Sequence, residues 1–138
     1  SKKMSKSELS DLGRINLTDG KDEIINKIKK AKTDPLPMPS TIQQLNERPE
    51  AKNLIGIYSS ISNLPLDKII NDFSGKNFSE FKEKLSQLLV DKINPISNEI
   101  KKLQNEKNYI DNILLEGSVK ASEIATKKIK KIHEIVGF

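Results

Sequence analysis

Apolar residues recur at helical spacing through the second half of the chain, and this pattern constrains the fold more than any other feature. One run follows a seven-residue repeat closely enough to pack against a partner helix; it comprises Phe81, Leu85, Leu88, Leu89, Ile93, Ile96, Ile100 and Leu103. After a polar stretch at residues 104–108, predicted to be a turn, a second run contains Ile110, Leu114, Gly117, Ala121, Ile124, Ala125, Ile129, Ile132 and Ile135. No stretch alternates as a strand would. The sequence predicts an all-α helical bundle with two long antiparallel C-terminal helices.

Individual residues refine the two long helices. Asn77 and Glu80 form a capping-box pattern at the start of the first. Pro95 lies inside that helix and is expected to kink it, because proline removes a backbone hydrogen bond. In the second helix the small residues Gly117, Ala121 and Ala125 fall on the apolar face, which predicts a close approach of the two backbones.

The chain before residue 34 is expected to be a loop arm followed by one helix. Residues 1–20 contain Gly13 and Gly20 and have no helical period. Asp19 is predicted to cap a helix over residues 21–32. The apolar stripe of this helix is Ile24, Ile28 and Ala31, and its C-terminal half carries Lys27, Lys29, Lys30 and Lys32, which suit the negative end of the helix dipole.

Prolines in the middle of the chain indicate where its helices are interrupted and where they begin. Pro35, Pro37 and Pro39 alternate within residues 34–45, which predicts an extended linker of polyproline II type. Asn46 and Pro49 then open a helix. Its predicted buried stripe is Leu54, Ile57, Tyr58 and Ile61, and a short helix over residues 66–73 follows, ending at Ser74 and Gly75.

Composition limits the classes of function. The 138 residues have room for one domain with a modest core, and the absence of cysteine excludes disulfides and thiolate metal sites. The carboxylates are scattered, so we predict no metal site, and the apolar runs are too short to span a membrane. The net charge of +5 favours an anionic partner. An A+T-rich genome, which encodes proteins rich in lysine and isoleucine, explains the positive net charge equally well.

A short polar motif near the N-terminus has phosphate-binding chemistry. Lys3 and Lys6 are interleaved with the hydroxyls of Ser5 and Ser7. Ammonium groups are point charges that suit phosphate oxygens, and hydroxyls add directional donors. Such a loop can stabilise the charge that develops on departing pyrophosphate without supplying a proton or a nucleophile. The other interpretation of so short a motif is a lysine-rich terminus.

Lys3-Met4-Ser5-Lys6-Ser7 resembles the nucleotide-binding loop of class I aminoacyl-tRNA synthetases. The motifs downstream narrow this resemblance to the C-terminal third of bacterial-type tryptophanyl-tRNA synthetases. They are residues 15–19 (INLTD), 28–34 (IKKAKTD), 46–50 (NERPE), 53–59 (NLIGIYS), and 115–117 (LEG) with the helix that follows to Phe138. The resemblance covers nearly the whole chain apart from residues 35–45. We accordingly expect the chain, which has no methionine at position 1, to be a piece of a longer protein.

The resemblance implies specific roles. Residues 1–20 would be the nucleotide-binding loop and the tail of a catalytic domain, and residues 21–138 a helical anticodon-binding domain. Lys6 would contact the leaving phosphates of ATP, with Lys3 in support and Met4 anchoring the loop by packing. Residues 3–7 together, with Ser5 and Ser7, would bind ATP. The intact enzyme would use ATP with Mg²⁺ to activate tryptophan and would charge tRNA(Trp), as a cytoplasmic homodimer. The histidine motif and Rossmann sheet of that family lie upstream, so we expect this chain alone to be inactive.

Candidate tRNA contacts are the lysines that face away from the apolar stripe of the last helix, namely Lys120, Lys127 and Lys131. A solvated lysine face is an equally good explanation of each. Stacking on anticodon bases would fall to Arg48, Tyr58 or Tyr109. The only histidine, His133, reads as solvated helix surface.

Two alternatives accompany this interpretation. Tyrosyl-tRNA synthetases share the loop chemistry. Their loop sequence is usually different, however, and they match the downstream motifs poorly. A non-enzymatic helical RNA-binding or adaptor module could carry the N-terminal motif by chance. An upstream Rossmann half would favour the enzyme, and a start codon at Met4 would favour the adaptor.

Overall fold

The computed structural model describes residues 10–137, which form helices joined by short connections and contain no strand. After a 3-10 turn at Asp11–Gly13, the helices are α1 (Lys21–Lys30), α2 (Ile42–Asn46), α3 (Pro49–Ser62), α4 (Leu66–Phe73), α5 (Phe78–Asn105) and α6 (Lys107–Val136). The prediction of an all-α chain with two long C-terminal helices is confirmed. The chain divides into two compact units, one ending at Asn98 and the other starting at Glu99.

The first unit is built on one aliphatic core with an aromatic centre. Phe73 and Phe81 meet edge to face, with ring centroids 5.0 Å apart, and Tyr58 lies 5.6 Å from Phe73 and 5.7 Å from Phe81. Edge-to-face pairs suit the charge distribution of aromatic rings. The aliphatic part of the core comes from α1 to α5 and includes Ile24, Ile28, Leu45, Leu54, Ile55, Ile69, Ile70, Leu85 and Leu89.

Helix α1 is capped differently from the prediction. Gly20 is the N-cap residue, and its backbone N–H donates to the Glu23 carboxylate at 2.7 Å. Asp19, predicted to be the cap, is buried and paired with a lysine. At the other end the Lys82 ammonium donates to the carbonyls of Lys29 (3.2 Å) and Ala31 (2.6 Å), which satisfies two terminal helix acceptors.

The predicted extended linker over residues 34–45 is wrong at its end, where α2 begins at Ile42, and the residues before α2 are bound to the rest of the first unit. Met38 exchanges backbone hydrogen bonds with the α4–α5 connection: its N–H donates to Lys76 O at 2.8 Å, and its carbonyl accepts from Gly75 N at 3.1 Å. Met38 and Pro39 are buried, and the Thr41 hydroxyl caps α2 by accepting from Gln44 N at 3.2 Å. Met38 and Pro39, with Leu45 of α2, thus belong to the core, whereas residues 35–37 and 40–44 are exposed.

Arg48 also fixes this segment. Its guanidinium donates from Nε (2.9 Å) and Nη2 (2.5 Å) to the Asp34 carboxylate, and from Nη1 to Pro37 O (2.7 Å). Nη2 also reaches Leu36 O at 3.2 Å, and the guanidinium lies 5.5 Å from the centre of the Phe78 ring. A planar fork with several donors can hold a carboxylate and two carbonyls at once.

Helices α3 and α4 lie close to where the sequence predicts them. Pro49 occupies the first turn of α3, and Asn63, with φ 58°, ends it. Gly75, with φ 71°, follows α4 in the left-handed conformation that glycine adopts at no steric cost. The buried side of α3 is shifted from the prediction: Leu54 is buried with Ala51 and Ile55, whereas Ile57, Tyr58 and Ile61 are partly exposed.

The long helices differ from the prediction in their connection and in their packing. Glu106 alone separates α5, which contains Pro95, from α6, so the turn is shorter than residues 104–108. Helix α6 has no buried residue, and a Cβ added at Gly117 would meet no atom within 4 Å. The expected close helix approach at Gly117 is therefore wrong. Within residues 10–137, no helix is apolar over a long enough span to cross a membrane.

Candidate functional site

The predicted ATP-binding residues Lys3, Met4, Ser5, Lys6 and Ser7 lie outside the residues that the structure describes. The structure does describe the segment that follows them. Residues 10–20, here called the arm, run from Ser10 to the N-cap of α1. The arm is the described segment that is nearest in sequence to the predicted ATP-binding residues.

Two carboxylates from opposite ends of the arm meet on one lysine of α1. Lys27 Nζ lies 2.5 Å from Asp11 Oδ2 and 2.6 Å from Asp19 Oδ2. The side chains of Lys27 and Asp19 are 8% and 7% exposed, whereas that of Asp11 is 45% exposed. Because both ends of the arm share one buried cation, this cation holds the arm to α1 as a closed loop.

Asn16 joins the two carboxylates. Its side-chain amide donates to Asp11 at 3.0 and 3.2 Å and to Asp19 Oδ1 at 3.3 Å, while its backbone N–H donates to Asp19 Oδ2 at 2.9 Å. Arg14 Nε lies 2.7 Å from Asp11 Oδ1. Lys27, Asp11, Asp19 and Asn16 are called the Lys27 cluster below. No buried side-chain polar atom lacks a hydrogen-bond partner within residues 10–137, so the cluster is fully satisfied.

The charges in the cluster stabilise one another. Burial opposes the charged forms of Asp19 and Lys27, but the hydrogen bonds between them and from Asn16 and Asp11 outweigh it, so the pKa of Asp19 is lowered and the pKa of Lys27 is raised. The pKa of Asp11 is lowered mainly by its hydrogen bond with Lys27 and then by Asn16. The cluster is therefore ionised throughout the neutral range.

The arm has a second attachment, to α5. The hydroxyl of Ser97, which is fully buried, donates to the carbonyl of Thr18 at 3.2 Å. By contrast, Leu12 and Leu17 of the arm are 48% and 55% exposed. The arm is thus held by polar contacts and by Ile15, which packs against the core.

The sequence contained a signal for the Lys27 cluster that our prediction did not use. Lys27 was assigned to the helix dipole, yet it lies between Ile24 and Ile28 on the apolar side of α1. A lysine at a core position needs an acidic partner, because a buried unpaired charge is costly. The partners are Asp11 and Asp19, which the sequence alone did not bring together.

The predicted tRNA contacts lie together on α6 in the second unit. Lys120, Lys127 and Lys131 are exposed, and spacings of seven and four residues place them on one face of the helix. A shallow surface hollow beside Lys127 is also lined by Lys130, by hydroxyls at four-residue spacing from Ser118, Ser122 and Thr126, and by Glu123, whose carboxylate opposes an anion. Ammonium and hydroxyl groups in one row are suited to phosphate oxygens.

Two of the three residues predicted to stack on anticodon bases are already engaged. Arg48 is bonded to Asp34 and two carbonyls, and Tyr58 packs on Phe73 and Phe81. Tyr109, at 53% exposure, is open to solvent. Among residues 10–137, no group of three or more His, Cys, Asp or Glu side chains is placed to hold a metal ion.

Comparison with known proteins identifies the family. A family model described as tRNA synthetases class I (W and Y) matches residues 1–93. The tryptophan–tRNA ligases of Mesorhizobium japonicum and Agrobacterium fabrum are 44% and 46% identical over 137 residues, and that of Rickettsia felis is 44% identical. These alignments cover 99% of this chain but only 39%, 39% and 41% of the three relatives. The chain, similar throughout to part of these ligases, belongs to the class I tRNA synthetases of the W and Y family.

Proposed function

We propose that this chain is part of a tryptophan–tRNA ligase, in which it supplies the ATP-phosphate loop and the helices that bind tRNA. The observation that carries the proposal is the similarity to tryptophan–tRNA ligases over 99% of the chain at 44–46% identity. The intact enzyme would join tryptophan to ATP with loss of pyrophosphate and then charge tRNA(Trp). The chain spans about two fifths of these relatives, so the pockets for tryptophan and adenosine belong to the remaining part.

Within this proposal, residues 3–7 act on the phosphates. A carboxylate oxygen of tryptophan attacks the α-phosphorus, the bond to the bridging oxygen breaks, and negative charge grows on the leaving pyrophosphate. Lys6 stabilises that charge, Lys3 supports it, Ser5 and Ser7 donate hydrogen bonds, and Met4 packs to hold the loop. Such stabilisation favours the transition state over the ground state and therefore raises kcat.

Magnesium would enter with ATP. Among residues 10–137 no group of three or more His, Cys, Asp or Glu side chains is placed to bind the ion, and Asp11 and Asp19 are both paired with Lys27. The described residues therefore do not fit a resident magnesium site, and we assign them no step through the ion.

The test of the loop is Lys6→Ala in the full-length enzyme. Removing one electrostatic donor aimed at the transition state costs about 2.7–4 kcal/mol, so kcat for tryptophan-dependent pyrophosphate exchange should fall roughly 100- to 1000-fold while ATP affinity changes less. Lys2→Ala, which removes the same charge just outside the motif, is the matched control. An equal loss of ATP affinity with kcat intact would show that Lys6 only binds ATP.

The tRNA-binding role rests on the row of lysines on α6. Phosphate contacts make affinity fall with salt by about 0.7–0.9 log units per contact for each tenfold rise. Replacing Lys120, Lys127 and Lys131 together by glutamine should weaken tRNA(Trp) binding and reduce the salt slope by about two to three units. An unchanged slope would mean that these lysines are only solvated surface.

Anticodon reading is tested separately. The full-length enzyme is compared on tRNA(Trp) and on a version with a substituted anticodon at physiological salt, because charge alone would bind both equally. Loss of charging with the substituted tRNA supports readout by the helical part. Equal charging of both would favour a helical scaffold, and absence of any tryptophan-dependent exchange would favour the alternative, an RNA-binding adaptor.

A further inference from the structure

The ATP loop joins the described chain through very few residues, and this makes the start of the arm important. Ser7 lies three residues before Ser10, so its Cα is at most about 11 Å from that of Ser10. The Ser10 hydroxyl accepts from Leu12 N at 3.4 Å, and Asp11, the next residue, is bonded to Lys27. The place of Asp11 therefore limits where the predicted ATP loop can begin.

Helix α1, which binds Asp11 through Lys27, is packed firmly into the core. Helix α1, which carries Lys27, packs into the core through Ile24 and Ile28, which are 0% and 4% exposed. Lys82 binds the carbonyls at the C-terminal end of the same helix. The link from the core to the arm therefore runs through Ile24 and Ile28 to Lys27, and from Lys27 to Asp11.

Building on the proposed function of residues 3–7, we propose that Lys27 is a positioning residue for catalysis: by holding Asp11 and Asp19 on α1, it sets the place from which the ATP loop reaches the phosphates. It touches neither ATP nor tryptophan. Without its cation, Asp11 and Asp19 would face each other across Asn16 with only Arg14, which pairs with Asp11, to offset their charge, and like charges repel. The first turn of the arm would then lose its attachment to α1.

The proposal predicts that loss of Lys27 lowers kcat more than it changes the KM for ATP. Donors that are misplaced by about 1 Å can cost up to 100-fold in rate, because the geometry matters most in the transition state. In the full-length enzyme, Lys27→Met should therefore lower kcat for tryptophan-dependent pyrophosphate exchange about 10- to 100-fold, with a much smaller change in the KM for ATP and none in tryptophan affinity. Lys27→Arg keeps the cation and should recover most of the loss.

The controls separate positioning from stability. Lys30→Met makes the same change on the exposed side of α1, three residues further along, and should leave kcat unchanged. Each variant is assayed at a temperature where circular dichroism shows it to be fully folded. If Lys27→Met does not fold, Asp11→Asn replaces it: Asp11 is half exposed and Asp19 still pairs with Lys27, so this variant keeps the buried pair and changes only the attachment next to the loop.

The outcomes distinguish this inference from the proposed function. If wild-type enzyme exchanges pyrophosphate and folded Lys27→Met or Asp11→Asn does so at the wild-type kcat, the positioning role is wrong while the proposed function stands. The positioning role would also be wrong if kcat fell only in proportion to the fraction of folded enzyme. It would be wrong as well if Lys27→Arg did not restore kcat. If wild-type enzyme shows no tryptophan-dependent exchange, the proposed function itself is wrong.

Discussion

At the scale of single residues, Lys27 and Arg48 both hold irregular backbone in place, by different means. Lys27 is a buried point charge shared by two carboxylates, whereas Arg48 uses a planar fork that reaches one carboxylate and two carbonyls. The partners of Arg48 lie 11 to 14 residues away along the chain. Each cation thus fixes a segment that has no α-helical hydrogen bonds of its own.

The Lys27 cluster gives the stability of the chain a defined pH dependence. The pKa values of Asp11 and Asp19 are lowered on folding, so their contribution is present above about pH 3.9 and is lost as the pH falls through the lower folded values. The pKa of Lys27 is raised, so its contribution is present below about pH 10.4 and is lost as the pH rises through the higher folded value. Between these limits the contribution is constant.

We expect Lys27→Met to destabilise the chain by about 3–5 kcal/mol at neutral pH, because it leaves the buried Asp19 carboxylate without a cation. The difference in urea midpoint between wild type and variant should narrow below about pH 4 and above about pH 10.4. Lys30→Met provides the comparison at an exposed site. A difference that stays constant from pH 3 to pH 11 would contradict the cluster's role in folding.

For Arg48 the prediction concerns geometry rather than charge. Arg48→Lys keeps the cation but loses the fork, so we expect a loss of about 1.5–3 kcal/mol in urea unfolding, the range for a hydrogen bond to a charged group. Asp34→Asn and the double variant Arg48→Lys/Asp34→Asn complete a double-mutant cycle, in which the loss of stability of each variant is measured by urea unfolding. If the two single losses simply add, Arg48 and Asp34 do not act together and the structure of the linker needs another explanation.

At the scale of elements, the sequence was informative where local chemistry decides. Pro49 in the first turn of α3 and Gly75 after α4 were predicted from propensity alone, and the structure confirms both. The prediction failed where a long-range partner decides. Met38 pairs with Lys76, and Arg48 with Asp34, so residues 34–45 are held against the rest of the first unit although their prolines indicate an extended linker.

The same distinction applies to the candidate site. The lysines of α6 were recognised because an exposed face needs only helical periodicity. The Lys27 cluster was missed because Asp19 looks like a helix cap and Asp11 like a loop residue until tertiary structure brings them together. The ATP-binding residues 3–7 were identified from a resemblance and stay a prediction.

Gly117 gives a test of helix α6. A Cβ there meets no atom within 4 Å, and glycine in a helix interior costs about 0.5–1 kcal/mol relative to alanine. Gly117→Ala should therefore stabilise the helix by about that amount, measured by urea unfolding. Gly75→Ala is the contrasting variant, because φ 71° strains any side chain and should make the same substitution destabilising. A loss of stability in Gly117→Ala would indicate that this face is packed.

At the scale of the whole molecule, the core belongs to the first unit, and the chain should fold without the rest of the enzyme. Every buried apolar residue of the described chain lies between Ile24 and Val90. We expect purified residues 1–138 to be helical by circular dichroism and to show no tryptophan-dependent pyrophosphate exchange, because the proposed function assigns the pockets for tryptophan and adenosine to the part of the relatives that this chain does not cover. The full-length enzyme is the positive control, and exchange by the isolated chain would refute the expectation.

The two attachments of the arm also differ in when they can form during synthesis. The bonds from Lys27 to Asp11 and Asp19 span 16 and 8 residues, whereas the bond from Ser97 to Thr18 spans 79. At about 5–20 residues per second, a ribosome adds Ser97 roughly 4 to 16 seconds after Thr18. All residues of the Lys27 cluster are therefore synthesised before α5 begins. The bond from Ser97 can form only after the residues that hold the arm to α1 are all present.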